Sequence, residues 1–128
     1  MAKAELEFGE LIGGGSSIIG ILKFINMTFS AGSNRITIPV DKKPKSAIWI
    51  TGNSSTKDMY LIDIENGKAY EQHGANQFID ESSYAYFSDV TDSSCKFNWS
   101  GYSTSNNGQL VLFDLPFDSL PPTVVSSL

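Results

Sequence analysis

Apolar residues in this chain recur at every second position over short runs, and each run ends in a cluster of Gly, Asn, Asp, Ser or Pro. Ile36, Ile38 and Val40 alternate with Arg35, Thr37 and Pro39, and Cys95, Phe97 and Trp99 alternate with Lys96 and Asn98. A period of two places alternate side chains on opposite faces of a strand, whereas a helix needs apolar residues three and four apart. No stretch keeps that helical stripe, so no long helix is expected. Short strands at about ten-residue spacing with turn residues between them point to an all-β fold, an antiparallel β-sandwich or flattened barrel.

The individual strands follow from local chemistry. Residues 19–29 are rich in β-branched and aromatic side chains and run into Ala31-Gly32-Ser33-Asn34, which reads as a strand and then a turn. Pro39 lacks an amide donor, which moves the strand holding Ile36 and Ile38 to a sheet edge. Ala47-Ile48-Trp49-Ile50-Thr51 is apolar on both faces and reads as central. Met59-Tyr60-Leu61-Ile62-Asp63-Ile64 returns through Asn66-Gly67, the strongest hairpin signal present because both residues tolerate positive φ, into Lys68-Ala69-Tyr70-Glu71-Gln72. Residues 84–90 turn at Asp92-Ser93-Ser94 into Cys95-Lys96-Phe97-Asn98-Trp99, a second hairpin. A loop from Gly101 to Gly108 leads to Gln109-Leu110-Val111-Leu112-Phe113, a continuous apolar run that needs cover on both sides.

The ends read differently from the middle. Ala4-Glu5-Leu6-Glu7-Phe8 alternates charge with hydrophobe, and Gly13-Gly14-Gly15-Ser16-Ser17 after it has the composition of a flexible tether. Pro116, Pro121 and Pro122 cannot donate ladder bonds, so the C-terminal residues read as extended. The expected organisation is an N-terminal arm and tether over residues 1–17, a β-sandwich domain over 18–115 and an extended Pro-rich tail over 116–128. At 128 residues, the domain is large enough for one core.

Charge and cysteine content narrow the function. Nine Lys plus Arg against fourteen Asp plus Glu give a net charge of -5, which repels a phosphate backbone, and Lys42-Lys43-Pro44-Lys45 reads as a solvated strand entrance rather than a nucleic-acid patch. The run Ile18-Ile19-Gly20-Ile21-Leu22 is far shorter than the roughly 20 residues of a membrane-spanning helix. Glu5, Glu7 and Glu10 follow the first residues where a secretory signal would be apolar, so export is not expected. Cys95 and His73 are the single cysteine and the single histidine. An intrachain disulfide and a thiolate cluster are therefore excluded, and Cys95 reads as a small buried thiol rather than half of a nucleophilic dyad.

No catalytic constellation stands out. Glycoside hydrolysis needs paired carboxylates, but Asp63 with Glu65, and Asp80 with Glu81, sit beside turns where solvated charge is ordinary. Asp58, Asp89 and Asp92 could meet around calcium, though their spacing does not require it. Asn26, Asn53 and Asn98 each begin a glycosylation tripeptide, a pattern that an Asn- and Ser-rich chain produces by composition. No enzyme activity, cofactor or metal is expected. The candidate glycan contacts are Trp99, Tyr102, Asn106 and Asn107, because flat aromatic faces stack on sugar rings and amides bond their hydroxyls. For Trp49 and Trp99, core packing is the plainer assignment. Leu6 and Phe8, on one face of an extended arm, together with Phe117 and Leu120 in the tail, are the candidate assembly contacts.

The succession Ile36-Thr37-Ile38-Pro39-Val40, Lys43-Pro44-Lys45-Ser46-Ala47-Ile48-Trp49-Ile50, Met59-Tyr60-Leu61-Ile62 and Cys95-Lys96-Phe97-Asn98-Trp99 resembles small β-rich structural proteins of tailed phages. The opening Met1-Ala2-Lys3-Ala4-Glu5-Leu6-Glu7-Phe8-Gly9-Glu10 is similar to the starts of short virion proteins in phages and prophages of Gram-positive bacteria. The resemblance spans residues 1–15 and 36–113 and transfers no active-site residue. It implies a virion component made in the bacterial host cytoplasm, of the tail tip, fibre or baseplate, that forms a homo-oligomer and contacts other virion proteins. Two alternatives are a carbohydrate-recognition module for host surface glycan and a capsid decoration or head-fibre protein.

Overall fold

The computed structural model describes residues 20–52, 57–72, 78–100 and 106–120. Nine strands lie in this order: β1 Ile21–Phe29, β2 Ser33–Pro39, β3 Ser46–Gly52, β4 Lys57–Asp63, β5 Lys68–Gln72, β6 Phe78–Asp80, β7 Ala85–Ser88, β8 Ser94–Ser100 and β9 Asn106–Phe113. They form a six-stranded sheet, β1-β9-β3-β4-β5-β6, and a three-stranded sheet, β2-β8-β7, with antiparallel pairing throughout. The chain is an all-β sandwich. No helix among the described residues is long and apolar enough to cross a membrane.

The core between the sheets is aromatic. Ala47 and Trp49 of β3, Tyr60 and Ile62 of β4, and Leu110 and Leu112 of β9 meet Ile38 of β2, Ala85 of β7, and Cys95, Phe97 and Trp99 of β8. The Trp49 ring centroid lies 5.0 Å from that of Phe97 and 5.7 Å from that of Trp99, both in edge-to-face contact. Tyr60 meets Trp99 at 5.1 Å in the same manner. Each such pair contributes about 0.5–1.5 kcal/mol beyond its buried area. The alternation of Cys95, Phe97 and Trp99 thus faces inward as expected, and burial pushes the Cys95 thiol up to about 11.

The large sheet is buried on its other face as well, which accounts for the apolar runs in β3 and β9. Ile48, Ile50, Met59, Leu61, Val111 and Phe113 form a second cluster with Leu120, against which Ile21, Phe24, Leu115 and Phe117 pack. The residues after β9 supply part of this cover. A single 3-10 turn over Phe117–Ser119 brings Phe117 to 5.8 Å from Tyr70 and leaves Leu120 5% exposed. One expectation is corrected here: residues 117–119 coil rather than extend. The one-turn helix ends at Ser119, and the apolar side chains of 115–120 find their burial on the sheet they leave.

Local differences have local causes. The register between β1 and β9 shifts between Ile21 and Lys23. An extra residue inverts alternation, so Ile21 and Phe24 face the outer cluster while Leu22, Ile25, Met27 and Phe29 face the inner one. The β4-β5 hairpin pairs Asp63 with Lys68 and closes through four residues, with positive φ at Gly67 alone; Asn66 instead donates its backbone N–H to Asp63 Oδ1 at 3.2 Å and its side-chain amide to Asp63 Oδ2 at 2.8 Å. The β7-β8 connection turns earlier than expected, Asp89 taking φ 49° and Ser94 already lying in β8. Strand β9 begins at Asn106, so Asn106, Asn107 and Gly108 are strand rather than loop, and β6 is a three-residue strand with no sequence signal of its own.

Candidate functional site

The inward faces of β2, β7 and β8 are spent on the core, so their outward faces are where this small sheet meets solvent. Arg35, Asn98 and Tyr86 lie side by side there, because Arg35 pairs with Asn98 across β2-β8 and Tyr86 pairs with Asn98 across β7-β8. Around them opens a groove of about 440 Å³, walled by Ser33, Asn34, Ser83 and Ser100 and bordered by Trp99. Its size falls within the roughly 300–1,000 Å³ of small-molecule sites.

Asn98 organises this surface. It is 5% exposed, although it points away from the sandwich core. Its Oδ1 accepts from Arg35 Nε at 2.6 Å, and its amide nitrogen donates to Ser88 Oγ at 2.9 Å and to the Tyr86 carbonyl at 3.3 Å. Because a guanidinium cannot accept a hydrogen bond, Asn98 Oδ1 must face Arg35. Asn34 is occupied elsewhere: its amide nitrogen donates to the carbonyls of Ser30 and Gly32, and its Oδ1 accepts from Ser30 N–H, fixing the turn into β2. The opposite wall is held by Ser100 N–H donating to the Tyr84 carbonyl at 2.8 Å. Tyr86 is 40% exposed, leaving much of its ring open.

The site expected from sequence overlaps this one only in part. Trp99 borders the groove but is 3% exposed, its ring held among Phe29, Trp49 and Tyr60, so it provides no open stacking face. The inward phase of β8 places Trp99 in the core, the plainer of the two assignments its sequence allowed, and removes it as a glycan contact. Asn107 is exposed on β9, paired with Thr28 and Gly52 in the large sheet rather than beside the groove. Asn106 lies in the same strand, paired with Phe29. Tyr102, Leu6 and Phe8 lie outside the described residues. Phe117 and Leu120 pack on the outer face of their own sheet. Arg35 was missed as a site residue, since pairing across three strands brings it beside Tyr86, 51 positions away in a sequence without a shared motif.

The remaining chemistry-bearing groups are dispersed. Lys96 donates to Asp89 Oδ2 at 2.9 Å, an interaction that lowers the Asp89 carboxyl below its ordinary range. Asp58 sits on β4 in the other sheet, opposite Thr51. Asp80 is lowered mainly by the Ser82 hydroxyl and then by the Ser82 backbone N–H. Tyr60 donates to Glu71 Oε2 at 2.7 Å, and its phenol is raised by burial first and by Glu71 second. Cys95 is enclosed in the core, and His73 lies outside the described residues. Of the three glycosylation tripeptides, Asn26 is exposed, Asn98 is buried by its clamp and Asn53 lies outside the described residues. Among the described residues no three His, Cys, Asp or Glu side chains gather as a metal site.

Comparison with protein-family models, with curated proteins and with solved structures finds no match for this chain.

Proposed function

We propose that this chain is a non-enzymatic structural component of a phage particle, of the tail tip, fibre or baseplate, which assembles with copies of itself by β-strand addition. The observation carrying the assembly part is a single corner of the sandwich. The large hydrophobic side chains that remain exposed among the described residues, Phe78, Ile79, Tyr84 and Tyr86, all fall within residues 78–86. There β6 ends the large sheet and β7 ends the small one. A sheet edge presents a row of backbone donors and acceptors, and natural edges are commonly blunted by charge or proline. Strand β6 carries Phe78 at 40% and Ile79 at 36% exposure, with a charge only at its last residue, Asp80. The resemblance of residues 1–15 and 36–113 to small virion proteins supports the phage assignment, and Ala4-Glu5-Leu6-Glu7-Phe8 has the alternation of a donated strand.

Light scattering on the full chain tests this reading. The expected result is an oligomer that becomes monomeric when residues 1–15 are deleted or when Phe78→Glu and Ile79→Lys are introduced together. A monomer for the unaltered chain at every concentration would overturn it.

The second reading, a glycan-recognition module, is favoured by the groove. An exposed tyrosine ring flanked by hydroxyls and a fixed guanidinium suits a sugar ring, which has an apolar face and a polar rim. Tyr86→Ala is expected to abolish binding on a glycan array, and an array without signal for the unaltered chain would remove this reading.

A further inference from the structure

Arg35 is held in a way that leaves its outer end without a partner among the described residues. A guanidinium carries five N–H donors in a planar fork. One of them, at Nε, is given to Asn98, and no other hydrogen bond or ion pair of the Arg35 side chain occurs among the described residues. The Nη edge therefore keeps its donors, at a groove wall, on a side chain whose plane is set by a nearly buried amide. Asn98 is itself fixed by two further bonds, so the orientation of the fork is built before any ligand arrives. The charged neighbours do not consume it. Asp89 is paired with Lys96, and Arg35 reaches Asp89 only through a weak long-range attraction.

An end-on guanidinium edge matches the two oxygens of a carboxylate or a phosphate better than it matches a neutral hydroxyl. The rest of the wall is uncharged: Ser33, Ser83 and Ser100 bring hydroxyl-bearing residues, and Tyr86 brings a flat apolar face. A free anion would leave that face and those residues without a role. Within the glycan-recognition reading, on which this rests, we infer that the groove takes an acidic saccharide, its oxyanion seated on the Nη edge of Arg35 and its ring on Tyr86. The overall charge of -5 would repel such a ligand from the surface at large, so binding depends on this one fixed cation.

Calorimetric titration of the full chain distinguishes the outcomes, with a glucuronic-acid oligosaccharide, a phosphorylated oligosaccharide and a neutral glucose oligosaccharide as probes. At least one acidic probe is expected to bind more tightly than the neutral one, and the two acidic probes separate carboxylate from phosphate. Arg35→Gln is expected to weaken the acidic probe at least about tenfold, the scale of losing a charge-assisted hydrogen bond, and to weaken the neutral probe by a clearly smaller factor. Arg35→Lys should recover only part of the loss, because an ammonium is a point charge without the fork. Thermal melting of both variants confirms folding. Binding of acidic and neutral probes alike, indifferent to Arg35→Gln, would overturn this inference and leave glycan recognition standing. Acidic binding that survives Tyr86→Ala would be surface ion exchange and would also overturn it. Failure of all three probes to bind would overturn both.

Discussion

The indole of Trp49 lies directly on the backbone of Gly108: a β-carbon at that glycine would stand 1.9 Å from Trp49 Cη2, with Cζ3 and Cζ2 at 2.5 and 2.6 Å. The two residues occupy adjacent strands, and the missing side chain of one makes room for the largest ring of the other. Any side chain at 108 must drive the indole out of contact with Phe97 and Trp99. Gly108→Ala is therefore expected to destabilise the fold by about 1–3 kcal/mol or more, the range for overpacking a close-packed core. Urea denaturation measures this. A double-mutant cycle with Trp49→Phe should show strong coupling, and additive effects would contradict the contact.

Gly67→Ala is costly for a different reason. A β-carbon there meets nothing within 4 Å, but the backbone sits at φ 67°. The expected loss is about 1–2 kcal/mol, the strain of an L-residue in the left-handed region. Gly67→Asn should be milder, because asparagine tolerates that region. Equal losses for Ala and Asn in urea melts would argue against a backbone origin.

Leu120→Ala should lower stability by about 2 kcal/mol, near the bottom of the range for buried leucine, since a residue outside the strands, after a single 3-10 turn, can relax around the gap. Leu120 packs against the outer cluster of its own sheet. The loss should therefore be independent of protein concentration. A loss that grows on dilution would show that the residue is buried by another copy instead.

Asp114 gives the acid limb of stability a named contributor. Its carboxylate meets Lys42 Nζ at 2.6 Å and Lys45 Nζ at 3.9 Å. The Lys42 hydrogen bond, reinforced by the charges of Lys42 and Lys45, holds the carboxyl below its ordinary range. A depressed native value means that the unfolded chain binds the proton more readily. The contribution is thus complete above the ordinary carboxylate range and is lost as pH falls through the depressed value. Asp114→Asn should flatten the pH dependence of Tm in that acid window. Because the pair is partly exposed, high salt should flatten it as well. An unchanged acid limb would contradict the assignment.

Much of the sandwich was legible because period-two patterning is a property of neighbouring residues. Pro39 placed β2 at an edge, the doubly apolar runs placed β3 and β9 in the interior of the large sheet, and the strands of both hairpins were expected. Three features resisted for physical reasons. The bulge near Lys23 reverses alternation within β1, so its sequence looks aperiodic. Strand β6 is three residues long, and its pairing with β5 supplies what its own pattern lacks. Asn106, Asn107 and Gly108 carry turn chemistry, yet β1 and β3 on either side draw them into the ladder, where Gly108 is required by Trp49.

The groove was not legible, and its residues show why. Alternation along β8 says that Asn98 faces away from Phe97 and Trp99, but it cannot say that Arg35 and Tyr86 flank it, because register is a relation between strands. The sequence by itself determined most of the strands, their inward faces away from the β1 bulge, and the aromatic core, all of which follow from side-chain period and burial. Tertiary structure alone decided which outward residues became neighbours and where residues 115–120 would dock. Those outcomes depend on pairing register and on which apolar face remained uncovered, and neither is written in any local stretch of chain.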